Sequence, residues 1–95
     1  MDILERVKTA RRISHNKLDE EILEHIEACK LELERVHIDK SFIDNPDALV
    51  RQAIVQYCLS FIAETSDLQK AYRECFEQII EHLRKSSRYR EKEDV

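Results

Sequence analysis

The sequence predicts an all-α fold: a small four-helix bundle followed by a flexible, basic C-terminal tail. Three observations predict it. The 95 residues include no Gly, and tight β-hairpins rely on residues that accept positive φ, so an antiparallel sheet is disfavoured. Apolar residues recur at spacings of three and four in four segments, the period of a helix with one dry face. Short polar stretches carrying cap residues separate those segments.

The first helix is expected from about Asp2 to Arg12. Leu4, Val7 and Arg11 share a face, Ile3 and Ala10 flank it, and Asp2 sits where a negative charge favours a helix start. The stretch Ile13-Ser14-His15-Asn16 breaks the pattern. Asn16 reads as an N-cap, with Asp19 and Glu20 in the next first turn. The second helix, about Lys17 to Val36, carries one narrow apolar stripe of Leu18, Ile22, Ile26, Cys29, Leu33 and Val36. Its other side is acidic, with Glu20, Glu21, Glu24, Glu27, Glu32 and Glu34.

His37 to Asn45 reads as a loop with Phe42 and Ile43 tucked beneath it. Asn45-Pro46-Asp47 is a start signal: Asn45 caps, Pro46 takes the first helical position, and Asp47 suits the dipole. The third helix, about Pro46 to Ala63, is apolar nearly all round. Leu49, Ala53, Ile54, Tyr57 and Phe61 form its stripe, so it should be the central, most buried element. Ser66 and Gln69 match a reciprocal capping box. The fourth helix then runs to about Lys85 with Leu68, Tyr72, Cys75, Phe76, Ile79 and Leu83 inward. Ser86 to Val95 is polar apart from Tyr89 and Val95 and is expected to be mobile. Residues 1–85 therefore read as one helical domain and 86–95 as a flexible tail.

Composition narrows the function. No apolar run approaches the ~18 residues of a membrane span, and the charged start Met1-Asp2-Ile3-Leu4-Glu5-Arg6 does not read as a secretory signal. Without Gly, no phosphate-cradling loop can be built. Cys29, Cys58 and Cys75 are odd in number and widely spaced, which is no disulfide framework and suits a reducing interior. Charge is segregated. Residues 1–17 hold five bases against two acids, residues 18–47 ten acids against three bases, and residues 84–95 five bases against three acids. An acidic middle with basic ends suits contact between copies, or a terminus docked on an acidic surface.

Sites for chemistry are hard to assemble. His25 and Cys29 lie four apart on one helix, but a structural zinc site needs a second pair, and Cys29 falls in the apolar stripe. Glu34 and His37 form a single Glu-x-x-His, whereas a di-iron bundle needs two with two further Glu. Cys58 and Cys75 lie on or beside core faces, where burial suppresses the thiolate. The expectation is no catalytic, cofactor or metal site, and a chain that binds without turnover. A helix-turn-helix reading needs a recognition helix rich in polar and basic groups. The third helix offers only Arg51, Gln52 and Gln56. The tail motif Arg88-Tyr89-Arg90 is the best anchor for a protein partner, because Tyr and Arg are enriched in interface hot spots.

The order of the segments resembles the tailed-phage head–tail connector (adaptor, or DNA-packaging) proteins. The opening Asp2-Ile3-Leu4-Glu5-Arg6-Val7-Lys8, then Arg11-Arg12-Ile13-Ser14, Leu18-Asp19-Glu20-Glu21-Ile22 and Ile26-Glu27-Ala28, is similar to their N-terminal region. Asn45-Pro46-Asp47-Ala48-Leu49-Val50-Arg51-Gln52-Ala53-Ile54-Val55-Gln56-Tyr57 is similar to their central helix. Tyr72-Arg73-Glu74-Cys75-Phe76 and Leu83-Arg84-Lys85-Ser86-Ser87 resemble their last one. Members often carry a Gly after the second helix, where Val36-His37-Ile38-Asp39-Lys40 has none.

The resemblance implies a structural subunit of the virion, or of a prophage, at the head–tail interface, assembled in the bacterial host cytoplasm. Such subunits form a homo-oligomeric ring, commonly a dodecamer, beneath the portal protein, and give a tail-side connector or stopper its platform. An isolated subunit can be monomeric, with the portal as template. DNA passes through the ring without specific binding. Carried over, Arg84, Lys85, Arg88, Tyr89 and Arg90 become the portal-docking residues. Between subunits, Glu20, Glu24, Glu27 and Glu34 are expected to meet Arg6, Arg11 and Arg12 of a neighbour in a head-to-tail contact, and acids on the channel would keep DNA from sticking. The alternative expectation is a small helical protein- or DNA-binding regulator.

Overall fold

Periodicity alone places four helices; the computed structural model, which describes residues 2–91, contains five. They are α1 (Ile3–Arg11), α2 (Asp19–Arg35), α3 (Lys40–Asp44), α4 (Ala48–Ile62) and α5 (Ser66–Lys85). The fold is all-α, and the described residues form no strand, only a single β-bridge between Ile38 and Arg90. The extra helix, α3, is one turn long, too short to show a period. Asp39 starts it by accepting from the Ser41 N–H at 2.9 Å, and Ile43 drops into the core.

Helix starts shift by one or two residues from the sequence reading. Asp2, expected as a favourable charge at the helix start, is the cap of α1, accepting from the Glu5 N–H at 2.8 Å. Asp47, not Asn45, caps α4 through the Val50 N–H at 3.0 Å, so Pro46 lies ahead of the cap. Thr65, not Ser66, caps α5 through the Leu68 N–H at 3.1 Å, and Gln69 Nε2 donates to the Ala63 carbonyl instead of closing a capping box. Asn16 caps nothing. Its Oδ1 accepts from Lys8 Nζ at 2.9 Å, and α2 begins at Asp19, whose carboxylate pairs with Lys8. The changes at α4 and α5 are between near-equivalent cap formers, so the choice falls to packing, whereas α2 starts after Leu18 with no side-chain cap.

α4 is the central element, as its all-round apolarity requires. Val50, Ala53, Ile54, Val55, Cys58, Leu59 and Ile62 are buried, and α1, α2 and α5 all pack on it. Ile22, Ile26, Cys29 and Leu33 of α2 and Val7 of α1 complete the core. α5 packs chiefly on α4, and this thins its cover: Leu83 is its one fully buried side chain. Two inward assignments on α5 therefore fail. Cys75 is exposed, and Leu68 is 46% exposed. Ile80, on the opposite flank of the stripe from Cys75, packs against the core in its place. Phe61 of α4 is also half-exposed.

Two helices end on left-handed residues that are not Gly. Arg12 has φ 58° and His37 φ 64°. After α2, the His37 N–H donates to the Glu34 carbonyl and the Ile38 N–H to the Leu33 carbonyl, both at 3.0 Å. After α1, Arg12 donates to Thr9 and Ile13 to Lys8 in the same way. This paired pattern closes a helix around one αL residue, with an apolar contact across it. Ile38 and Leu33 supply that contact after α2, both fully buried. His37 takes this position after α2, a residue type enriched among non-Gly αL positions.

The C-terminal expectation changes as well. Residues 86–91 do not hang free but fold back as a turn onto the body: Tyr89 N–H donates to the Ser86 carbonyl, and Tyr89 is 8% exposed. The remainder of the expected tail, residues 92–95, lies outside the described residues.

Candidate interaction surfaces

Three surfaces gather the charged residues. The first is the outward face of α2. Glu20, Glu24, Glu27, Leu31 and Glu34 advance by four, three, four and three residues, which puts them on one stripe opposite the buried one. All are exposed, and Leu31 (66%) and the adjacent Leu23 (47%) are left in solvent among the acids. Glu27 pairs with half-buried Lys30 at 3.7 Å.

The expected basic counterpart on α1 is largely used within the chain. Arg6 Nη2 donates to Gln52 Oε1 at 3.2 Å. Arg11 Nε donates to the Ile62 carbonyl at 2.7 Å, and its Nη1 pairs with Glu64 at 3.0 Å. Both arginines thus satisfy groups of α4 and the link beyond it. Arg12 is the exposed one. For Arg11 the reason is a helix end: the last α4 carbonyls lack intrahelical partners and attract a cation.

The second surface is the C-terminal turn. Arg84, Lys85, Arg88 and Arg90 are exposed, with Arg84 and Lys85 both beside Glu81, at 3.7 and 3.4 Å. Tyr89 is not exposed. Its Oη donates to Asp47 Oδ2 at 2.6 Å, its ring lies 4.8 Å from that of Phe42, and its carbonyl accepts from the Asp39 N–H at 2.7 Å. The Glu91 N–H donates to the His37 carbonyl at 2.9 Å. The Arg88 guanidinium lies over the Phe42 ring at 5.7 Å and 3.9 Å from Asp47. Burial pushes the Asp47 carboxyl up, but the Tyr89 hydroxyl, the Val50 N–H and the Arg88 charge together hold it below its ordinary value. The hydrogen bond to that carboxylate, then burial, raises the Tyr89 hydroxyl.

The third is a groove of about 360 Å³ between α2, α4 and α5, floored by Tyr57, Phe61 and Phe76 and rimmed by Glu32, Arg35, Arg73, Glu77, Glu81 and Arg84. Phe61 also stacks on His25, ring centroids 4.7 Å apart.

The residues considered for chemistry are dispersed. Cys29 is fully buried beside Cys58, and burial pushes both thiols up, Cys58 to about 12. His25 faces Phe61 and stands 3.6 Å from Glu21. His37 faces Glu91, at 3.6 Å. Among the described residues no three His, Cys, Asp or Glu side chains cluster as a metal ion requires, and no helix is long and apolar enough to cross a membrane.

The Tyr89–Asp47 bond and the Arg11–Ile62 bond carried no signal in the sequence, since each joins residues more than 40 positions apart through one side chain. The exposed leucines could have been found: Leu23 and Leu31 fall outside the α2 stripe. Comparison of the chain with protein-family models, with curated proteins and with solved structures finds no match.

Proposed function

We propose that this chain is a structural head–tail connector subunit of a tailed phage or prophage, which joins copies of itself into a ring beneath a portal protein and catalyses nothing. The ordered resemblance along nearly the whole chain motivates the reading. The observation that carries it is the outer face of α2, where exposed Leu23 and Leu31 lie among Glu20, Glu24, Glu27 and Glu34. Apolar side chains left in water on an otherwise charged helix suit a face that another protein covers. The geometry refines the proposed pairing: Arg12 is the α1 base available to a neighbour, because Arg6 and Arg11 hold their own α4. At the portal, Arg84, Lys85, Arg88 and Arg90 are accessible in the folded chain, whereas Tyr89 is accessible only once its turn opens.

The test is co-assembly. The purified chain is mixed with an assembled tailed-phage portal ring, then followed by size-exclusion chromatography and electron microscopy. The expected result is a portal with an added ring, lost on Glu24→Lys with Glu27→Lys and insensitive to duplex DNA sequence. A chain that ignores the portal and shifts one duplex selectively, with steep salt dependence, is a regulator instead.

A further inference from the structure

The C-terminal turn behaves as a ligand of the body that carries it. The slot it fills is built wholly from residues 33–50: the end of α2, the start of α3 and the cap of α4. Those elements close by their own bonds, Ile38 N–H to Leu33, Ser41 N–H to Asp39 and Val50 N–H to Asp47. The segment arrives from the far end of α5, a different part of the fold. It pairs antiparallel with the His37–Asp39 backbone through two hydrogen bonds, seats Tyr89 against Phe42 and bonds Asp47. What folds it back is slight: Ser86 and Ser87, and one 3.3 Å bond from the Tyr89 N–H to the Ser86 carbonyl.

We propose that this slot accepts the Arg88–Glu91 segment of a second copy, so that copies link by exchanging C-terminal turns. The occupant is argued from identity, since every copy carries both slot and segment, and their fit is displayed within one chain. Charge agrees, because the segment brings Arg88 and Arg90 to the most acidic stretch of the sequence. Exchange remakes every bond between segment and slot and gives up only the bond inside the turn. Opened, residues 86–89 span up to about 13–14 Å, enough to reach a neighbour that touches the end of α5. Local concentration then decides between closed and exchanged forms. Given in one direction around a series of copies, the turn links a ring; given reciprocally, it makes a dimer. The inference does not depend on the connector reading, and a regulator could pair in the same way.

Ile38 and Arg90 face each other in the bridge, between rather than within its two hydrogen bonds. Cα atoms in such a pair lie about 4.5 Å apart, within disulfide range. Two differently tagged chains, both Cys75→Ser, carry Ile38→Cys and Arg90→Cys respectively. Mixed at rising concentration under mild oxidation, they should give a disulfide-linked heterodimer joined at these two positions. A single chain carrying both changes should close on itself when dilute. Monomers only, up to about 1 mM, would falsify the exchange, and so would failure of the single chain to close. Because Ile38 is buried, a second pair avoids the core. Asp47→Asn keeps a competent cap but weakens the slot, and Tyr89→Phe weakens the segment. Closed and exchanged forms of either variant lack the Tyr89–Asp47 bond alike, so each alone should associate about as the unaltered chain does. Their mixture regains one intact slot–segment pair only on exchange, so it should associate about tenfold more tightly than either alone. Equal association in all samples overturns the proposal.

Discussion

Arg11 of α1 donates its Nε–H to the carbonyl of Ile62, the last residue of α4, at 2.7 Å, while its Nη1 pairs with Glu64 beyond the helix end. One side chain thereby closes one orphan carbonyl at the C-terminus of the central helix, pairs with a carboxylate beyond it and ties α1 to the end of α4. This explains why a base stands on the face that Leu4 and Val7 turn inward.

Arg11→Ala should accordingly destabilise the fold by about 1–2 kcal/mol, the scale of a charge-assisted bond to a partly exposed acceptor. Arg11→Lys should recover only part, because a single ammonium does not reproduce the fork. Urea denaturation read by circular dichroism measures both. A loss below a few tenths of a kcal/mol for Arg11→Ala would show that water caps the helix equally well.

His37→Gly and Arg12→Gly should each stabilise by about 0.5–1 kcal/mol. An L-residue in the left-handed region costs ~1–2 kcal/mol, and Gly removes this at an entropic cost of roughly half that. Thermal unfolding of the two variants checks it. The opposite sign at position 37 would mean that the His37 side chain, near Glu91, contributes more than its backbone costs.

The C-terminal turn should open at both ends of the pH scale. Asp47 is held below its ordinary value, so its contribution is present above roughly pH 4 and fades as pH falls through the lowered value. Tyr89 is raised, so its contribution is present below about pH 10 and fades as pH rises through the raised value. Protection of the Glu91 amide against hydrogen exchange, taken relative to the intrinsic rate at each pH and read by NMR, should fall in both limits. Asp47→Asn should remove the acid limb. A flat profile would show that backbone pairing alone holds the turn.

Thiol labelling should distinguish the cysteines. Cys75 is exposed, whereas Cys29 and Cys58 are buried with suppressed thiolates. An aromatic disulfide reagent should titrate one thiol in the folded protein and three in denaturant. Prompt reaction of all three would contradict the core.

The helices were legible because burial repeats. Ile22, Ile26, Cys29 and Leu33 announce α2 by spacing, and the near-continuous apolar run of α4 announces the element on which three others pack. α3 was missed because one turn has no period. Cys75 and Leu68 were misplaced because periodicity names a face of α5 but not how much of it a partner covers. The C-terminal turn was illegible for a different reason. Tyr89 is a single aromatic in a polar run, and its partner Asp47 already had a local role as a cap. The intrachain bonds of Arg6 and Arg11 were hidden on the same ground: their charge was visible in the sequence, their partners Gln52 and the Ile62 carbonyl were not.

The last helix is held at both extremities. Its start is tied by the Thr65 cap, the Gln69–Ala63 bond and the Arg11–Glu64 pair, and its finish by buried Leu83 and the Tyr89–Asp47 bond. At about 1.5 Å per residue its 20 residues span roughly 30 Å. α5 is thus clamped at its two ends and bedded on the core between them through Tyr72, Phe76, Ile79 and Ile80. Unclasping the far support leaves its middle untouched and frees only the tip to swing.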